Sequence, residues 1–287
     1  MTWSYTQDAE AFFKQRRDYL VANESLNCLA WAAIKRSRND NPDNVSHRFL
    51  TFSSVDAVIA HAIFQMRGQE LILSPMSGPQ AEHLADALAA DGVQLKLVEG
   101  PSEAALRFAR RWTERTTVVH ELVMNQGLHE LRSVEMPDLA DGRLICATDE
   151  HRPVLLKFMY GFASCFSDQV MDLDKLDERT DRFLSMNRAF MWQDRCKTFV
   201  SMAVVVRESP HTASISWVFT PPQYRRRGHA AQVVATLSQA QLDAGKHACN
   251  LHTDLANPTS NGVYYRIGYR KISESVRLRL QLPQRTP

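Results

Sequence analysis

The stretch Val218–Ala231, VFTPPQYRRRGHAA, ends a β-branched run, inserts two prolines and three consecutive arginines, and passes through a glycine into alanine-rich sequence. Pro221 and Pro222 stop a strand, because proline has no N–H to give the ladder. From about His229 to Ala244 the residues read as a helix, with Gly245 as its stop. A strand that turns within a few residues into a helix constrains this part of the chain to the α/β class.

The loop has chemistry of its own. A helix that begins at Gly228 presents its first N–H groups without acceptors, and the positive end of its dipole adds to them. Gly228, Ala230 and Ala231 keep bulk away from that backbone, while Arg225, Arg226 and Arg227 bring long cations to the rim. The combination suits a pyrophosphate. A solvated basic turn is the plain alternative. Neither GxxxxGK(S/T) nor GxGxxG after a strand occurs in the chain.

The rest of the chain repeats this order of elements. Thr6 to about Lys35 has helical spacing and ends in the loop RSRNDNPDN. DAVIAHAIFQM and QELILSP read as strands around a turn at Arg67-Gly68, followed by the helix PQAEHLADALAA, the strand VQLKLVE, the helix SEAALRFARRWTER and the alternating TVVHELVMNQGLHEL. In the second half AFMWQ and KTFVSMAVVVRE are strands, and TASISWVF pairs with the latter across Ser209-Pro210-His211. After the helix come the strand HACNLHTDL, the short helix TSNGVYYRI and the closing strand YRKISESVRLRL. The junctions correspond too: LSPMSGPQ follows a strand where FTPPQYRRRG does, and EGPSE precedes a helix where ANPTSN does. The chain therefore reads as a duplicated α/β unit. VEMPDLADG, Val134–Gly142, breaks the pattern before RLICAT starts a new strand, which places domains at 1–138 and 142–287.

Composition narrows the function classes. With 287 residues, 44% of them hydrophobic, the chain can bury a sizeable core. The balance of 34 basic against 32 acidic residues is too even for a nucleic-acid-coating surface. Five cysteines, Cys28, Cys146, Cys165, Cys196 and Cys249, form no CxxC pair and fit neither a disulfide framework nor a zinc site. HELVM at His120 lacks the second histidine of a metalloprotease motif. With no signal pattern and no membrane-length apolar run, the expectation is a cytoplasmic protein, monomeric or homodimeric, that engages neither nucleic acid nor membrane.

RRRGHA, Arg225–Ala230, resembles the Gln/Arg-x-x-Gly-x-Gly/Ala signature of the GNAT superfamily of N-acetyltransferases, and it follows WVFTPP as that family's fourth strand precedes its signature. About 30 residues on, DLANPTSNGVYYRIGYRKI is similar to the second signature: an asparagine at a helix start, a tyrosine, then a Gly-aromatic step into a strand. The likeness covers roughly Arg143 to Leu280. The first half keeps the element order but lacks the loop, since SPMSGPQAEHL has neither the arginines nor the spacing. The fold implied is α+β: two tandem GNAT-like units, each a mixed, mostly antiparallel sheet flanked by helices, the first degenerate.

The resemblance implies transfer of an acetyl group from acetyl-coenzyme A to a primary amine. By it, the backbone of Val218, Phe219 and Thr220 pairs with the pantetheine arm as an added strand. Arg225, Arg226, Arg227, Gly228, His229, Ala230 and Ala231 form the pyrophosphate site. Asn257 and Asn261, at a helix start, either bond the arm or simply cap free N–H groups. Tyr264 stands where the family's tyrosine faces the coenzyme sulfur and donates a proton to the leaving thiolate; a packed aromatic is the alternative. TASISWVF carries no carboxylate where many members have a base, so His252 and Asp254, alternate residues on one strand face, are the local titratable groups. A noncatalytic acyl-coenzyme A-binding or sensing module is the competing function.

Overall fold

The computed structural model describes residues 2–38, 46–53, 58–138, 141–165 and 173–282. In chain order the elements are β1 (Thr2–Thr6), α1 (Ala9–Ala22), α2 (Cys28–Ser37), β2 (His47–Ser53), β3 (Val58–Gln65), β4 (Glu70–Leu73), α3 (Gly78–Ala90), β5 (Leu97–Pro101), α4 (Ser102–Arg115) and β6 (Val119–Leu131). The second half continues with β7 (Gly142–Cys146), α5 (Arg152–Ala163), α6 (Leu173–Ser185), β8 (Ala189–Asp194), β9 (Phe199–Glu208), β10 (Thr212–Phe219), α7 (His229–Asp243), β11 (Ala248–Asp254), α8 (Pro258–Arg266) and β12 (Arg270–Gln281).

Two compact units form, and their bounds are not a single cut in the chain. Unit 1 takes Met1–Leu128, Thr253–Ala256 and Lys271–Pro287; unit 2 takes His129–His252 and Asn257–Arg270. In unit 1 the pairings β1–β2, β2–β3, β3–β4 and β5–β12 are antiparallel, and β4–β5 is parallel. In unit 2 the pairings β7–β8, β8–β9 and β9–β10 are antiparallel, and β10–β11 is parallel. The parallel pair in each unit flanks one helix, α3 or α7, so the same strand–helix–strand step occurs twice.

Each unit covers both sheet faces. In unit 1 α1 and α2 bury Phe12, Leu20, Trp31 and Ile34 against Phe49 and Ile63, while α3 and α4 bury Leu84, Phe108 and Trp112 against Leu71, Val98 and Leu278. In unit 2 α5 and α6 pack Leu155, Met159 and Phe183 on Met202, Val204, Trp217 and Phe219. On the opposite face α7 packs Val233, Val234 and Leu237 on Val205, Ile215 and Leu251.

The helical spacing of Thr6–Lys35 resolves into two helices. Asp8 starts α1 by accepting from the N–H groups of Glu10 and Ala11 at 2.8 and 3.0 Å, and α2 restarts at Cys28. Before them Thr2–Thr6 forms an edge strand on β2, an element whose short polar sequence gives little periodic signal. Asp56 and Ala57, read as the start of a strand, lie outside the described residues. No helix among the described residues is long and apolar enough to cross a membrane.

Candidate active site

The parallel ladder between β10 and β11 has three rungs, Thr212 to Ala248, Ala213 to Cys249 and Ser214 to Asn250, and then ends although both strands continue. From Ile215 onward β10 therefore has an edge with no ladder partner on that side among the described residues. It offers about 13 Å of extended backbone at roughly 3.3 Å per residue. The parting coincides with a bulge: Ser216 faces Val204 but Phe219 faces Met202, and Trp217 adopts φ 54°. A left-handed tryptophan is strained by about 1–3 kcal/mol. It is held by packing, its ring 4.7 Å from that of Phe162, with the Arg179 guanidinium 5.3 Å above it. Trp217 and Phe219 both turn into the α5–α6 core, and Val218 turns to the α7 side.

Beyond the open edge comes the arginine loop. Arg225–Gly228 are exposed, Ala230 and Ala231 half-buried. Arg226 has φ 62° and Gly228, the N-cap of α7, has φ 79°. Gly228 contributes no side-chain cap, so the N–H groups of the first turn have no intrahelical acceptor. A Cβ added at Gly228 would meet nothing within 4 Å. Glycine is therefore required by backbone conformation, and the space before the amides is open. His229 is buried, and its Nδ1 has no partner among the described residues. Burial, then the nearby Arg227 charge, lower its pKa despite Asp194.

The open backbone, uncapped helix start and three arginines fit the acyl-coenzyme A that the resemblance implies. The Thr220 carbonyl accepts from Arg225 Nε at 3.0 Å, and that of Phe219 from Ser201 Oγ at 3.1 Å.

Asn257 caps α8, its Oδ1 accepting from the Ser260 N–H at 3.1 Å, which is the capping role that stood open in the sequence. The Asn261 N–H bonds the Asn257 carbonyl at 3.1 Å. Tyr264, half-buried on the same helix, lies 6.1 Å ring to ring from the buried Tyr269. Burial pushes its hydroxyl up to about 12. Tyr265 is exposed beneath the Arg270 guanidinium.

The two candidate bases differ. His252 is half-buried and lowered to about 3, first by burial and then by the charges of Arg207 and His129. Asp254 accepts from the Ala256 N–H at 2.8 Å, a local turn bond that occupies one carboxylate oxygen. Sequence reading missed Arg207 and His129, because nothing in one dimension brings β9, β6 and β11 together.

The first half lacks this geometry for visible reasons. A Cβ on Gly100 would lie 2.7 Å from Leu73 Cβ and 3.1 Å from the Leu73 carbonyl, so β4 and β5 close where β10 and β11 part. At the start of α3, Gln80 Oε1 accepts from the Ser77 N–H at 2.8 Å. The Arg107 side chain crowds Gly78 there, with Nε 2.8 Å from a Cβ placed on that glycine.

Residues 196–278 match the family described as FR47-like protein. Among solved structures, a Drosophila protein is 13% identical over 97% of this chain and 98% of its own, with a TM-score of 0.68. The GCN5-related N-acetyltransferase from Sphaerobacter thermophilus is 11% identical, covering 98% and 96%, with a TM-score of 0.66. An acetyltransferase from the GNAT family of Colwellia psychrerythraea is 10% identical over 99% and 100%, with a TM-score of 0.58. A search of curated sequences matches no relative. The chain has the fold of GNAT acetyltransferases over its whole length, with an FR47-like segment in its second half.

Proposed function

We propose that this chain is an acetyl-coenzyme A-dependent N-acetyltransferase, acting on a primary amine of a small molecule or protein by direct attack on the thioester. One observation carries the reading: β10 loses its parallel partner after Ser214 and runs into an uncapped, arginine-rimmed helix start. A linear ligand with amides along its arm and a pyrophosphate at its end is complementary to that track. The unpaired β10 edge holds the arm, and the amides of Arg226–Ala231 with the three arginines hold the phosphates. When bound, the ligand supplies an activated acetyl thioester.

The remaining work falls to side chains of the chain itself. Tyr264 keeps its proton throughout the neutral range and serves as donor to the departing sulfur. His252, neutral at pH 7 and too weakly basic to hold the proton itself, orients a water that carries the acceptor's proton away to solvent. The Tyr264 role rests on the resemblance as well as on position, and the His252 role on position alone.

A noncatalytic acyl-coenzyme A-binding or sensing module is the second reading. It is favoured by the weak basicity of His252 and by the lack of a carboxylate on Thr212–Phe219. Thiol release from acetyl-coenzyme A, measured across polyamines, aminoglycosides, amino acids and peptide N-termini, separates the two. Acceptor-dependent release supports the transferase; tight cofactor binding with no transfer to any acceptor supports the sensor.

A further inference from the structure

At the crotch of the fork three basic side chains converge. Arg207 on β9, Ser214 on β10 and Asn250 on β11 share one rung of the sheet, so their side chains stand on the same face. His252, two residues beyond Asn250, is on that face as well. His129, nine-tenths buried, and Arg207 both lie close enough to His252 for their charges to act on it.

Arg207 is half-buried, and its Nε is sealed from solvent with no hydrogen-bond partner among the described residues. The adjacent acid is committed elsewhere, since Glu208 pairs with Arg188 and Lys246. A guanidinium N–H held dry and unpaired costs stability unless an anion meets it. Partial exposure of Arg207 and His252 leaves the recess reachable from outside.

We propose that Arg207, with His252 beside it, receives a carboxylate of the acceptor, so that the amine acetylated belongs to an amino acid or a similar carboxylate-bearing amine. The proposal rests on the transferase reading for the word acceptor, and on the cluster alone for the anion. The planar Arg207 fork matches a carboxylate, and the neutral His252 imidazole has one N–H to add. Position agrees: an acyl arm running back along β10 from the arginine loop ends toward Ser214, beside this cluster. An anion there also offsets the part of the His252 depression that comes from Arg207 and His129.

The test is equilibrium binding of N-acetylglycine and N-acetylglycinamide to the full chain saturated with coenzyme A, in wild type, Arg207→Gln and Arg207→Lys. Turnover of glycine, glycinamide, ethylamine and O-phosphoethanolamine is measured alongside. The acid should bind at least about tenfold more tightly than the amide in wild type, the preference vanishing in Arg207→Gln and partly surviving in Arg207→Lys. Coenzyme A affinity should be unchanged in both variants, and without ligand Arg207→Gln should melt no lower than wild type, since it removes an unpaired buried N–H. Equal binding of acid and amide, binding of neither, an undiminished preference in Arg207→Gln, or a stronger preference for the phosphorylated amine overturns the proposal. If the acid preference is present but no amine is acetylated, the anion recess stands and the transferase reading fails. Acetylation of ethylamine as readily as glycine gives the reverse.

Discussion

Ser214 Oγ donates to Asn250 Oδ1 at 2.7 Å across the last parallel rung of β10 and β11, both side chains fully buried. This bond ties the two strands at the point beyond which they part. Asn250→Ala leaves a buried hydroxyl without that acceptor and should destabilise the protein by about 1–3 kcal/mol in urea unfolding. The double variant Ser214→Ala/Asn250→Leu removes both polar groups and should lose less than the sum of its single variants. Strict additivity would show that the pair does not couple the strands.

Gly228 separates bulk from conformation. Its φ of 79° disfavours any side chain, yet a Cβ there meets no atom within 4 Å. Gly228→Ala should therefore already weaken coenzyme A binding by about tenfold, with Gly228→Val only modestly worse. Gly245, at φ 92° and equally uncrowded, is the control. Gly245→Ala should lose similar thermal stability and keep cofactor affinity. An alanine variant at 228 that binds normally in calorimetry would assign the glycine to side-chain clearance alone.

Legibility in the sequence followed how local each signal is. The arginine loop, Gly245 and the turn at Ser209–His211 are set by contiguous residues, and each appears where the chain spells it. The parting of the strands was not legible, because the bulge at Trp217 is imposed by Phe162, Phe183 and Arg179 on helices distant in sequence. Exchange of segments between the units was hidden for the same reason: β12 reads as a strand from its alternation, but its antiparallel pairing with β5 joins residues some 175 positions apart, as Leu278 to Val98 and Val276 to Gly100. The sequence named two candidate bases without their surroundings. Asp254 and His252 are the residues the strand provides, and only the fold reveals that one bonds its own turn and the other is surrounded by positive charge.

One coenzyme A per chain is expected, because the first half closes the gap that the second opens. Leu73 lies against Gly100 where a fork would form, and Arg107 occupies the start of α3. Titration calorimetry should give a stoichiometry near one. A second equivalent site would mean that β4 and β5 separate in solution.

His61 makes stability sensitive to acid. Burial, and then the charge of Arg16 with Nη2 at 3.4 Å from Nδ1, lower it to about 3, against about 6.5 unfolded. The fold thus favours the neutral imidazole, and the unfolded chain binds the proton first as pH falls. Stability is fully present above about 6.5 and is lost toward pH 3, by up to about 1.4 kcal/mol per pH unit for this group. His252 acts in the same window with the same sign. Melting temperature should be flat between pH 7 and 8 and fall below 6.5, and His61→Gln should shallow that acid limb. Identical slopes in wild type and variant would remove His61 from the account.

Tyr264 carries the sharpest chemical prediction. A hydroxyl at about 12 cannot hand its proton fully to a thiolate near 8.5 without an uphill step of about 5 kcal/mol, so its contribution is a hydrogen bond strengthened as charge develops on sulfur. Tyr264→Phe keeps the ring against Tyr269 and removes the donor. In the transferase, kcat should fall by about 10²-fold while coenzyme A affinity barely moves. The raised pKa also sets a sign: the donor persists up to about pH 12, so the rate should show no alkaline limb from this group below that value. Stability linked to the protonated phenol is present below about 10 and is lost as pH rises from there toward 12. A phenylalanine variant with wild-type kcat, for any amine the protein accepts, would reduce Tyr264 to packing and leave water as the proton source.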